Sequence, residues 1–547
     1  MAEIKDSKII YDSFDWMAPL HPSFEASSST IPLIAGSKTA LTFMQGMEPF
    51  RNYGNASPPY NTTNVTNASL ITSSALRQII VAAEGSTIYA YGINSGVGLF
   101  QMSSSSGAVT NAGVWPYTIT AVSGTVKGQS VIQYDAKVAG TRASRLFFSF
   151  NNSGATAGNP LWNVGMYQLD GATFDPDFMT TAPATPLVST AAGGGSDAFP
   201  IPMIVGDDDI LYIGNGNKVH AYDGANAADN EGKFFDSALV LPATFRITSF
   251  AKYQQRLVII GYFDPSTQTG NATVYGTQSR AYFWDYLSLD PYDSISLGDN
   301  YADSAFQIQG TFGFFTQGRT PIINSNSEDM ISKLKLFNGS TIDTVAYFGA
   351  EIPNNGAVEV INDCVYWHSP SFLYMWGSPF GQEELGLRCL VDDNSDEKGA
   401  FKQVTSSLIL LAADTAALYT LGGAGAGQFR TATASPNFPS GKVGKVRSIK
   451  VEFARQSTGN SQFSLTLVSD MQNNAASNTT TVISLLSTIT ETNISKEYFF
   501  DSDGGELSKF RSLAVYCSWD GSASSNTVYP ILKRVEITFD TINIDGT

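Results

Sequence analysis

The sequence predicts an all-β protein, an irregular β-propeller of about seven blades followed by a C-terminal β-sandwich. Three observations lead to this prediction. A hairpin-like unit recurs through most of the 547 residues, strict alternation of apolar and polar residues replaces it near the end, and no stretch carries sustained apolar residues at i, i+3 and i+4 between caps. A chain of this length exceeds one ordinary core, so several domains or one large repeat architecture are expected.

The recurring unit is clearest in residues 207–224, DDDILYIGNGNKVHAYDG. An apolar run, ILYI, precedes GNGN, whose residues tolerate positive φ, and a second strand-like run, VHAY, ends in a DG turn. Looser copies of this unit begin at Ile79, Arg145, Asp209, Arg256, Phe312, Asp363 and Ser406. Their spacing of roughly 45 to 65 residues lies within or slightly above the range of propeller blades.

A radial arrangement of four-stranded sheets explains why the strand-like runs are continuously apolar. Each blade buries both faces of its sheet against its neighbours, so its inner strands need not alternate between apolar and polar residues. The repeat is degenerate and has no Trp-Asp signature. A set of unrelated hairpins distributed over sandwiches is the alternative interpretation.

After a Gly/Ala-rich and Pro-containing stretch, the pattern changes to period two. The runs SIKVEF, from Ser448, and RVEITF, from Arg534, are so alike that we expect them to be neighbouring strands of a two-sheet sandwich. The N-terminal segment is rich in Pro, Ser, Thr and Asn, which favours an extended arm that reaches a partner or seals the first blade. The expected boundaries are 1–70 for the arm, 71–430 for the propeller, 431–445 for a linker and 446–547 for the sandwich.

Composition and charge exclude several classes of protein. Charged residues make up 15% of the chain and hydrophobic residues 43%, which rules out wholesale disorder. The net charge is −17 and no Lys/Arg-rich run occurs, so tight binding of DNA phosphates is not expected. Three cysteines do not form a disulfide framework. The start lacks the apolar core of a secretory signal, and no segment is apolar enough to span a bilayer.

Few residues suit catalysis or metal binding. The three histidines are His21 in the arm, His220 inside a strand and His368 at a strand end, and the sequence has no serine elbow, zinc-binding His pair or phosphate loop. The strand-like surroundings of Trp162, Trp284 and Trp367 favour packing between blades over a sugar-binding surface.

Acidic residues cluster at 207–209, 393–399 and 501–506, but the two longer clusters do not fit the twelve-residue calcium loop. A solvated turn is the preferred interpretation of 207–209, with a calcium site as the alternative. A glycosidase would need two carboxylates about 5 to 9 Å apart, and the spacing of acidic residues along the chain does not identify such a pair. We therefore predict no catalytic residue, no cofactor and no metal site, and a protein that is not an enzyme.

A low-charge chain with a Pro-rich arm, a degenerate propeller and a terminal sandwich resembles the tail nozzle and packaged-DNA-stabilisation proteins of short-tailed bacteriophages. PLIAGSKTALTFMQGMEPFRNYG, residues 32–54, is similar in style to the arm leading into the propeller of such virion proteins. KVRSIKVEFA, residues 445–454, resembles the strand that opens their C-terminal β-domain. No functional residue is carried over from the resemblance.

The resemblance implies a structural virion protein, assembled in the host cytoplasm and present in the tail as a ring of six copies. Such a ring extends or closes the DNA channel and helps retain packaged DNA, in contact with portal, adaptor and other tail proteins. An acidic or neutral wall lets DNA pass without sequence-specific binding, since cations would bind its phosphates. The alternatives are a receptor- or glycan-binding tail spike or fibre, expected as a trimer, and a bacterial surface propeller.

Overall fold

A computed structural model describes the chain over thirty segments. These are residues 3–5, 7–12, 16, 41–45, 47, 55–71, 74–94, 98–111, 115–119, 126–138, 140–152, 162–169, 173–176, 178–181, 200–225, 232–263, 278–321, 328–348, 351–379, 386–392, 397–414, 417–422, 426–431, 434, 436–455, 462–469, 479–485, 495–499, 509–520 and 530–544. Helical elements with defined bounds in these segments are a 3₁₀ turn, Ala68–Leu70, and a one-turn α-helix, Phe178–Thr181.

The N-terminal part contributes four strands, β1 (Glu3–Lys5), β2 (Lys8–Tyr11), β3 (Leu41–Gln45) and β4 (Asn61–Asn64). These four strands belong to three different sheets. Where it is described, this part of the chain differs from the extended arm expected for residues 1–70, because β2, β3 and β4 are each paired with a strand from a distant part of the chain.

Seven four-stranded sheets follow in the described part of the chain. In the first six, neighbouring strands are consecutive in the sequence. Sheet 1 contains β5 (Leu76–Glu84), β6 (Thr87–Asn94), β7 (Gly98–Ser103) and β8 (Tyr117–Thr118). Sheet 2 contains β9 (Val126–Val138), β10 (Thr141–Asn152), β11 (Trp162–Gln168) and β12 (Phe174–Asp175). Sheet 3 contains β13 (Met203–Val205), β14 (Leu211–Asn215), β15 (Lys218–Asp223) and β16 (Lys233–Val240). Sheet 4 contains β17 (Phe245–Tyr253), β18 (Arg256–Phe263), β19 (Gln278–Trp284) and β20 (Asp293–Ser296).

The remaining sheets continue the series. Sheet 5 contains β21 (Tyr301–Ile308), β22 (Thr311–Pro321), β23 (Glu328–Phe337) and β24 (Ile342–Phe348). Sheet 6 contains β25 (Val358–Ile361), β26 (Cys364–Ser369), β27 (Phe372–Gly377) and β28 (Gly386–Asp392). Sheet 7 contains β29 (Phe401–Gln403), β30 (Ile409–Asp414) and β31 (Ala417–Gly422), and β4 is its fourth strand.

The seven sheets form a closed β-propeller, which confirms the all-β, propeller part of the predicted fold class. The first strands of consecutive sheets lie against one another from β5 through β9, β13, β17, β21, β25 and β29, and β29 returns to β5. Separate hydrophobic clusters join sheet 1 to sheet 2, sheet 2 to sheet 3, sheet 3 to sheet 4 and sheet 4 to sheet 5. Phe315 packs on Trp367 between sheets 5 and 6, and Tyr366 stacks on Phe401 between sheets 6 and 7.

Short turns link the first and second strands of several sheets. Gln254 and Gln255 in sheet 4, and Asn362 and Asp363 in sheet 6, all have positive φ. Two consecutive residues with positive φ form a type I′ turn, whose twist matches that of the flanking strands. The expected arm completes the propeller at sheet 7 rather than at the first blade, since β4 is the fourth strand of the last sheet.

Two further sheets contain the C-terminal strands β32 (Gly427–Thr431), β33 (Lys442–Arg455), β34 (Gln462–Ser469), β35 (Thr479–Leu485), β36 (Ser495–Phe499), β37 (Lys509–Phe510), β38 (Leu513–Asp520) and β39 (Ile531–Asn543). The order in one is β1-β2-β39-β33-β36, with β37 paired to β33, and in the other β3-β32-β38-β34-β35. SIKVEF and RVEITF are neighbours as predicted, with Ile449 opposite Ile537 and Val451 opposite Val535. Phe453 of β33 and Phe463 of β34 place ring centroids 5.3 Å apart, so the two sheets are in contact.

Backbone contacts divide the chain into two compact units. The larger unit comprises residues 63–371 and 394–420, and the smaller comprises residues 1–62, 372–393 and 421–547. All residues of the candidate site described next belong to the larger unit.

Candidate functional site: polar residues at the propeller axis

The axis of the propeller brings together polar side chains from sheets that are not neighbours. Arg77 lies on β5 of sheet 1 and Asp303 on β21 of sheet 5, and the charges of the two groups influence each other's pKa. In a ring of seven sheets, sheet 1 adjoins sheets 2 and 7 only. The two side chains can therefore interact only across the central axis, where the first strands of all seven sheets surround one space.

Arg77 is held on one side by an amide from the next sheet. Its Nη1 donates to Oε1 of Gln129 on β9 at 2.9 Å. Burial lowers the pKa of the Arg77 guanidinium, while the charges of Asp303, Tyr301 and Glu397 act in the opposite direction. The side chain is densely surrounded by protein atoms and yet keeps some accessible surface. Arg77 is therefore largely enclosed by protein beside the axis.

Hydrogen bonds join the segments on either side of Arg77. Oε2 of Glu397, which precedes β29, accepts a hydrogen bond from the Ala75 backbone N–H at 2.8 Å, just before β5 begins. Gln78, next to Arg77, accepts the Val131 backbone N–H at 2.8 Å through Oε1. The first strands of sheets 1 and 2 and the segment leading into sheet 7 are thus joined beside the axis.

Asp303 on the opposite side is buried, with 6% of its surface exposed. Its carboxylate accepts the Tyr301 hydroxyl at 2.9 Å and the Ser304 backbone N–H at 2.6 Å. Burial raises the pKa of Asp303 to about 7, against the hydrogen bonds from Ser304 and Tyr301 and the charges of Lys398 and Arg77, which lower it. The carboxyl group therefore keeps its proton to a higher pH than an exposed aspartate does.

A backbone irregularity directs this carboxyl group. Ser304 has φ of 56°, a left-handed conformation that costs free energy for a residue other than glycine, and the pairing of β21 with β22 shifts register between Asp303 and Phe306. The Ser304 hydroxyl donates to the Pro353 carbonyl at 2.8 Å, which ties the irregularity to the segment before sheet 6. β-Bulges that redirect a side chain are common beside functional sites.

Two buried polar atoms next to Tyr301 have no hydrogen-bond partner among the described residues: Nε2 of Gln317 and Oγ of Ser332. Gln317 on β22 is 4% exposed, and Ser332 on β23 is fully buried. Tyr301 pairs with Gln317, and Gln317 pairs with Ser332, so the three side chains lie in one row on the same face of sheet 5.

The histidines and acidic clusters that were weighed and set aside in the sequence lie elsewhere. His220 is on β15, buried, with its pKa lowered by burial to about 4. His368 is buried on β26, where its Nδ1 accepts the Gly399 backbone N–H at 3.1 Å. His21 and the acidic cluster 501–506 lie outside the described residues, as do residues 393–396 of the cluster 393–399.

Asp207, Asp208 and Asp209 have separate partners. Asp207 forms an ion pair with Lys252 at 3.0 Å, Asp208 accepts the Tyr212 hydroxyl at 2.6 Å, and Asp209 forms an ion pair with Arg142 at 2.9 Å. No group of three or more His, Cys, Asp or Glu side chains suited to hold a metal ion occurs in the described part of the chain.

Packing between blades, predicted for the tryptophans, is confirmed where side chains are described. Trp284 is 2% exposed in the cluster between sheets 3 and 4, and Trp367 is fully buried against Phe315. The side chain of Trp162 lies outside the described residues. Cys517 is buried in the smaller unit, as expected for a small hydrophobic residue.

Sequence reasoning did not identify the axial residues. Arg77 and Asp303 are far apart in the sequence, and no motif spacing connects them. The one local signal is a charged residue within a first strand, directly after an apolar residue, Leu76 or Ala302. That signal becomes informative only once the ring order of the sheets is known.

No protein-family model and no curated protein matches the chain. Solved structures match at low identity. An exo-β-1,3-galactanase from Phanerochaete chrysosporium is 12% identical with a TM-score of 0.31, over 87% of this chain and 100% of that chain. The extracellular domain of a hybrid two-component system protein from B. thetaiotaomicron is 11% identical with a TM-score of 0.43, over 88% and 61%. The Swd1 β-propeller domain from Myceliophteria thermophila is 10% identical with a TM-score of 0.36, over 66% and 98%.

These similarities concern the fold alone. They contradict the prediction that the protein is not an enzyme, because exo-β-1,3-galactanases, which are glycoside hydrolases, are among the structures with a similar fold. Scarcity of histidine and of short catalytic motifs was therefore an insufficient reason to exclude enzymes. A propeller can assemble polar side chains at its axis from strands that are remote in sequence, as Arg77 and Asp303 illustrate. None of the helices in the described part of the chain could span a bilayer.

Proposed function

We propose that the protein is a structural component of a bacteriophage tail or neck, forming a ring of six copies that extends or closes the DNA channel and helps retain packaged DNA. Its partners in this proposal are other copies of itself, portal or adaptor and other tail proteins, and DNA that passes without sequence-specific binding. The net charge of −17 supports such a wall, since phosphates are repelled rather than bound.

The observation that carries the proposal is an apolar outer rim on sheets 3 to 5. Among the described residues, eight large hydrophobic side chains are exposed, and six of them lie on the fourth strands of these three sheets or in the loop leading into one. We call these six residues the rim: Phe235, Val240, Leu287, Leu289, Tyr292 and Tyr347. Exposed apolar groups that gather on one part of a surface are typical of protein–protein interfaces.

Leu287 and Leu289 are the most exposed of the rim, at 90% and 87%. The loop that presents them is held in one conformation. Asp285 accepts hydrogen bonds from the backbone N–H groups of Leu287 and Ser288 and from the Ser288 hydroxyl, and Trp284 donates from Nε1 to the Ser288 carbonyl at 2.7 Å. A preorganised apolar loop loses little conformational entropy on association.

The rim is large enough to contribute substantially to a contact between copies. Six such side chains remove on the order of several hundred Å² from water on each partner, against about 800 Å² in a standard interface. Each copy in a closed ring contacts two neighbours through different patches, so the rim would be one of the two.

The test is the copy number of the full-length protein and of particles that contain it. Native mass spectrometry of the wild type is expected to give a six-copy species, and cryo-electron microscopy of tails is expected to place six copies around the axis. The double variant Leu287→Ser with Leu289→Ser is expected to dissociate the ring. Ile88→Ser, which removes an exposed apolar side chain of sheet 1, is the matched control and should leave it intact.

Each outcome separates the alternatives. A wild type with three copies at a peripheral tip would replace the ring by the receptor- or glycan-binding spike or fibre, and a monomer in tails would reject both. A six-copy wild type whose double variant also assembles would keep the ring and exclude the rim as its contact.

A further inference from the structure

We propose that Asn355 is a modification site, at which spontaneous deamidation converts the side-chain amide to a carboxylate and releases ammonia. Asn355 and Gly356 form an Asn-Gly pair in the turn that leads into sheet 6. The pair lies in the larger unit, and the inference is independent of the proposed ring.

The reaction needs the two residues of the pair and water. The backbone nitrogen of Gly356 attacks Cγ of Asn355, the C–N bond of the side-chain amide breaks, and ammonia leaves with the proton of the attacking nitrogen. Water then opens the cyclic imide at one carbonyl to give aspartate, or at the other to give isoaspartate. Glycine favours the attack because it has no Cβ and its backbone adapts to the ring.

The sequence contains three Asn-Gly pairs, at residues 215–216, 338–339 and 355–356. All three lie in the described part of the chain. The two reacting residues are the same in each pair, so the folded surroundings decide which pair reacts.

Asn215 is protected by burial. It is 4% exposed and lies on β14, opposite Lys218 on β15. Its Nδ2 is 3.4 Å from Nε2 of His220. A paired strand resists the backbone rotation that ring closure requires, and the water that opens the imide has little access.

Asn338 is exposed but its amide is tethered. Nδ2 donates to Oγ1 of Thr341 at 2.7 Å and to Oδ2 of Asp343 at 2.9 Å. Oδ1 accepts the backbone N–H groups of Ser340 at 3.1 Å and Thr341 at 2.8 Å. Side-chain to backbone bonds of this kind hold Asn in a turn. The amide must leave these partners before Gly339 can attack it.

Asn355 is neither buried nor tethered. It is partly exposed, and its turn is closed by a hydrogen bond from the Ala357 N–H to the Asn354 carbonyl at 3.0 Å, with Gly356 at a φ of 76°. Among the described residues, neither the Asn355 amide nor the Gly356 N–H makes a hydrogen bond. The side chain can therefore turn its Cγ toward the Gly356 nitrogen without breaking a contact.

The position of the turn shows what the modification would change. A Cβ at Gly356 would lie 2.5 Å from Cδ of Gln78, so the turn approaches a first-strand side chain of sheet 1 closely. Oε1 of Gln78 also accepts the Val131 N–H of sheet 2. Either product adds a negative charge at this contact, and isoaspartate also lengthens the backbone of the turn by a methylene group.

The experiment follows the three pairs in one sample of folded full-length protein, incubated at mildly alkaline pH. Aliquots are digested under mildly acidic conditions, and mass spectrometry with fragmentation that distinguishes aspartate from isoaspartate quantifies each peptide. We expect Asn355 to react about tenfold faster than Asn338 or more, as for the breaking of two ordinary hydrogen bonds. Asn215 should react most slowly.

Two controls separate the fold from the local sequence. In denaturant all three pairs should react at similar rates, because their surroundings no longer differ. Asn355→Gln should give no product at residue 355 on the same timescale, since its amide would have to close a larger ring. Asn338→Gln is the matched control and should leave the rate at Asn355 as in the wild type.

The proposal is overturned if Asn355 in the folded protein reacts no faster than Asn338 or Asn215. It is also overturned if Asn355 reacts in denaturant and stays intact in the folded chain. Neither result bears on the copy number, which the test of the proposed ring decides.

Discussion

The backbone N–H of Val65 donates to the carbonyl of Leu418 at 2.9 Å and so joins the N-terminal segment to the last sheet of the propeller. The same region holds a hydrophobic cluster that contains Leu76 and Phe100 of sheet 1 together with Leu410 and Ala412 of sheet 7. Closure of the ring therefore combines backbone hydrogen bonds with a core of its own. In a propeller, this junction is the one place where neighbouring sheets are not consecutive in sequence.

Leu410→Ala tests how much this closure contributes to the free energy of unfolding. Leu410 is fully buried in the cluster between sheets 7 and 1, and truncating such a side chain leaves a cavity that costs about 2–5 kcal/mol. We expect a lower denaturant midpoint in chemical unfolding followed by tryptophan fluorescence. Ile88→Ala is the control, since this side chain is 51% exposed and its loss should change the stability by less than about 0.5 kcal/mol. Equal effects of the two variants would contradict the assigned closure.

Asp303→Asn tests the buried carboxyl group at the axis. Its pKa of about 7 in the folded protein lies above the ordinary value of 3.8, so the folded state holds its proton more tightly than the unfolded state. The stabilisation is fully present below pH 3.8 and is lost as the pH rises to about 7, at about 1.4 kcal/mol per pKa unit.

The measurement for Asp303 is the melting temperature of the wild type minus that of Asp303→Asn as a function of pH. We expect this difference to fall between pH 4 and 7 and to be flat above. Gln307→Leu, which removes no titratable group at an exposed position of the same strand, should show no such fall. A flat difference curve for Asp303→Asn would show that the carboxyl group is not desolvated in the folded protein.

His220→Gln is expected to show the opposite pH dependence. Burial lowers the pKa of His220 to about 4, from 6.5, so the unfolded state binds the proton more readily. The stability that the neutral imidazole contributes is present above pH 6.5 and is lost as the pH falls towards 4. The variant should therefore lose less stability than the wild type on acidification.

The two titrations overlap between pH 4 and 7 with opposite slopes, so the wild-type curve alone conceals both. Difference curves against the single variants separate them. A difference curve for His220→Gln that is flat between pH 6.5 and 4 would contradict the buried neutral imidazole.

Asp285→Ala tests the order of the loop that carries Leu287 and Leu289. Hydrogen bonds from the Ser288 and Leu287 N–H groups and the Ser288 hydroxyl hold the pKa of Asp285 below its usual range, so the ionised carboxylate is the form that fixes the loop. Removing it should accelerate amide exchange at residues 287 and 288, as measured by hydrogen–deuterium exchange. Asp290→Ala, in the same loop, is the control. Unchanged exchange in Asp285→Ala would mean that the loop is held by other contacts.

The sequence indicated the number of sheets because their middle strands are buried on both faces. Six of the seven predicted copies, such as those beginning at Arg256 and Phe312, coincide with the second and third strands of a sheet. The copy beginning at Ile79 instead takes in the first and second strands of sheet 1. First and fourth strands were not recognised, because their outward or axial residues interrupt the apolar run.

Pairing between remote segments could not be predicted from the sequence. The strand β4 reads NTTN, which has no apolar pattern, and it is defined as a strand only by its place beside β31. The same limit applies to the axial site, since Arg77 and Asp303 become neighbours only through the ring order of sheets 1 and 5. A local sequence pattern indicates whether a strand is buried. The residue types at 77 and 303 do not indicate which residue lies across the axis.

The placement of the N-terminal strands has a consequence for biosynthesis. β2, β3 and β4 pair with β39, β32 and β31, which the ribosome adds after nearly all of the propeller has been made. Until then β2, β3 and β4 lack these partner strands, and the last sheet has an open edge. We expect ribosome-bound intermediates to depend on chaperones, and a product that terminates before residue 417 to aggregate rather than accumulate as a shorter folded protein.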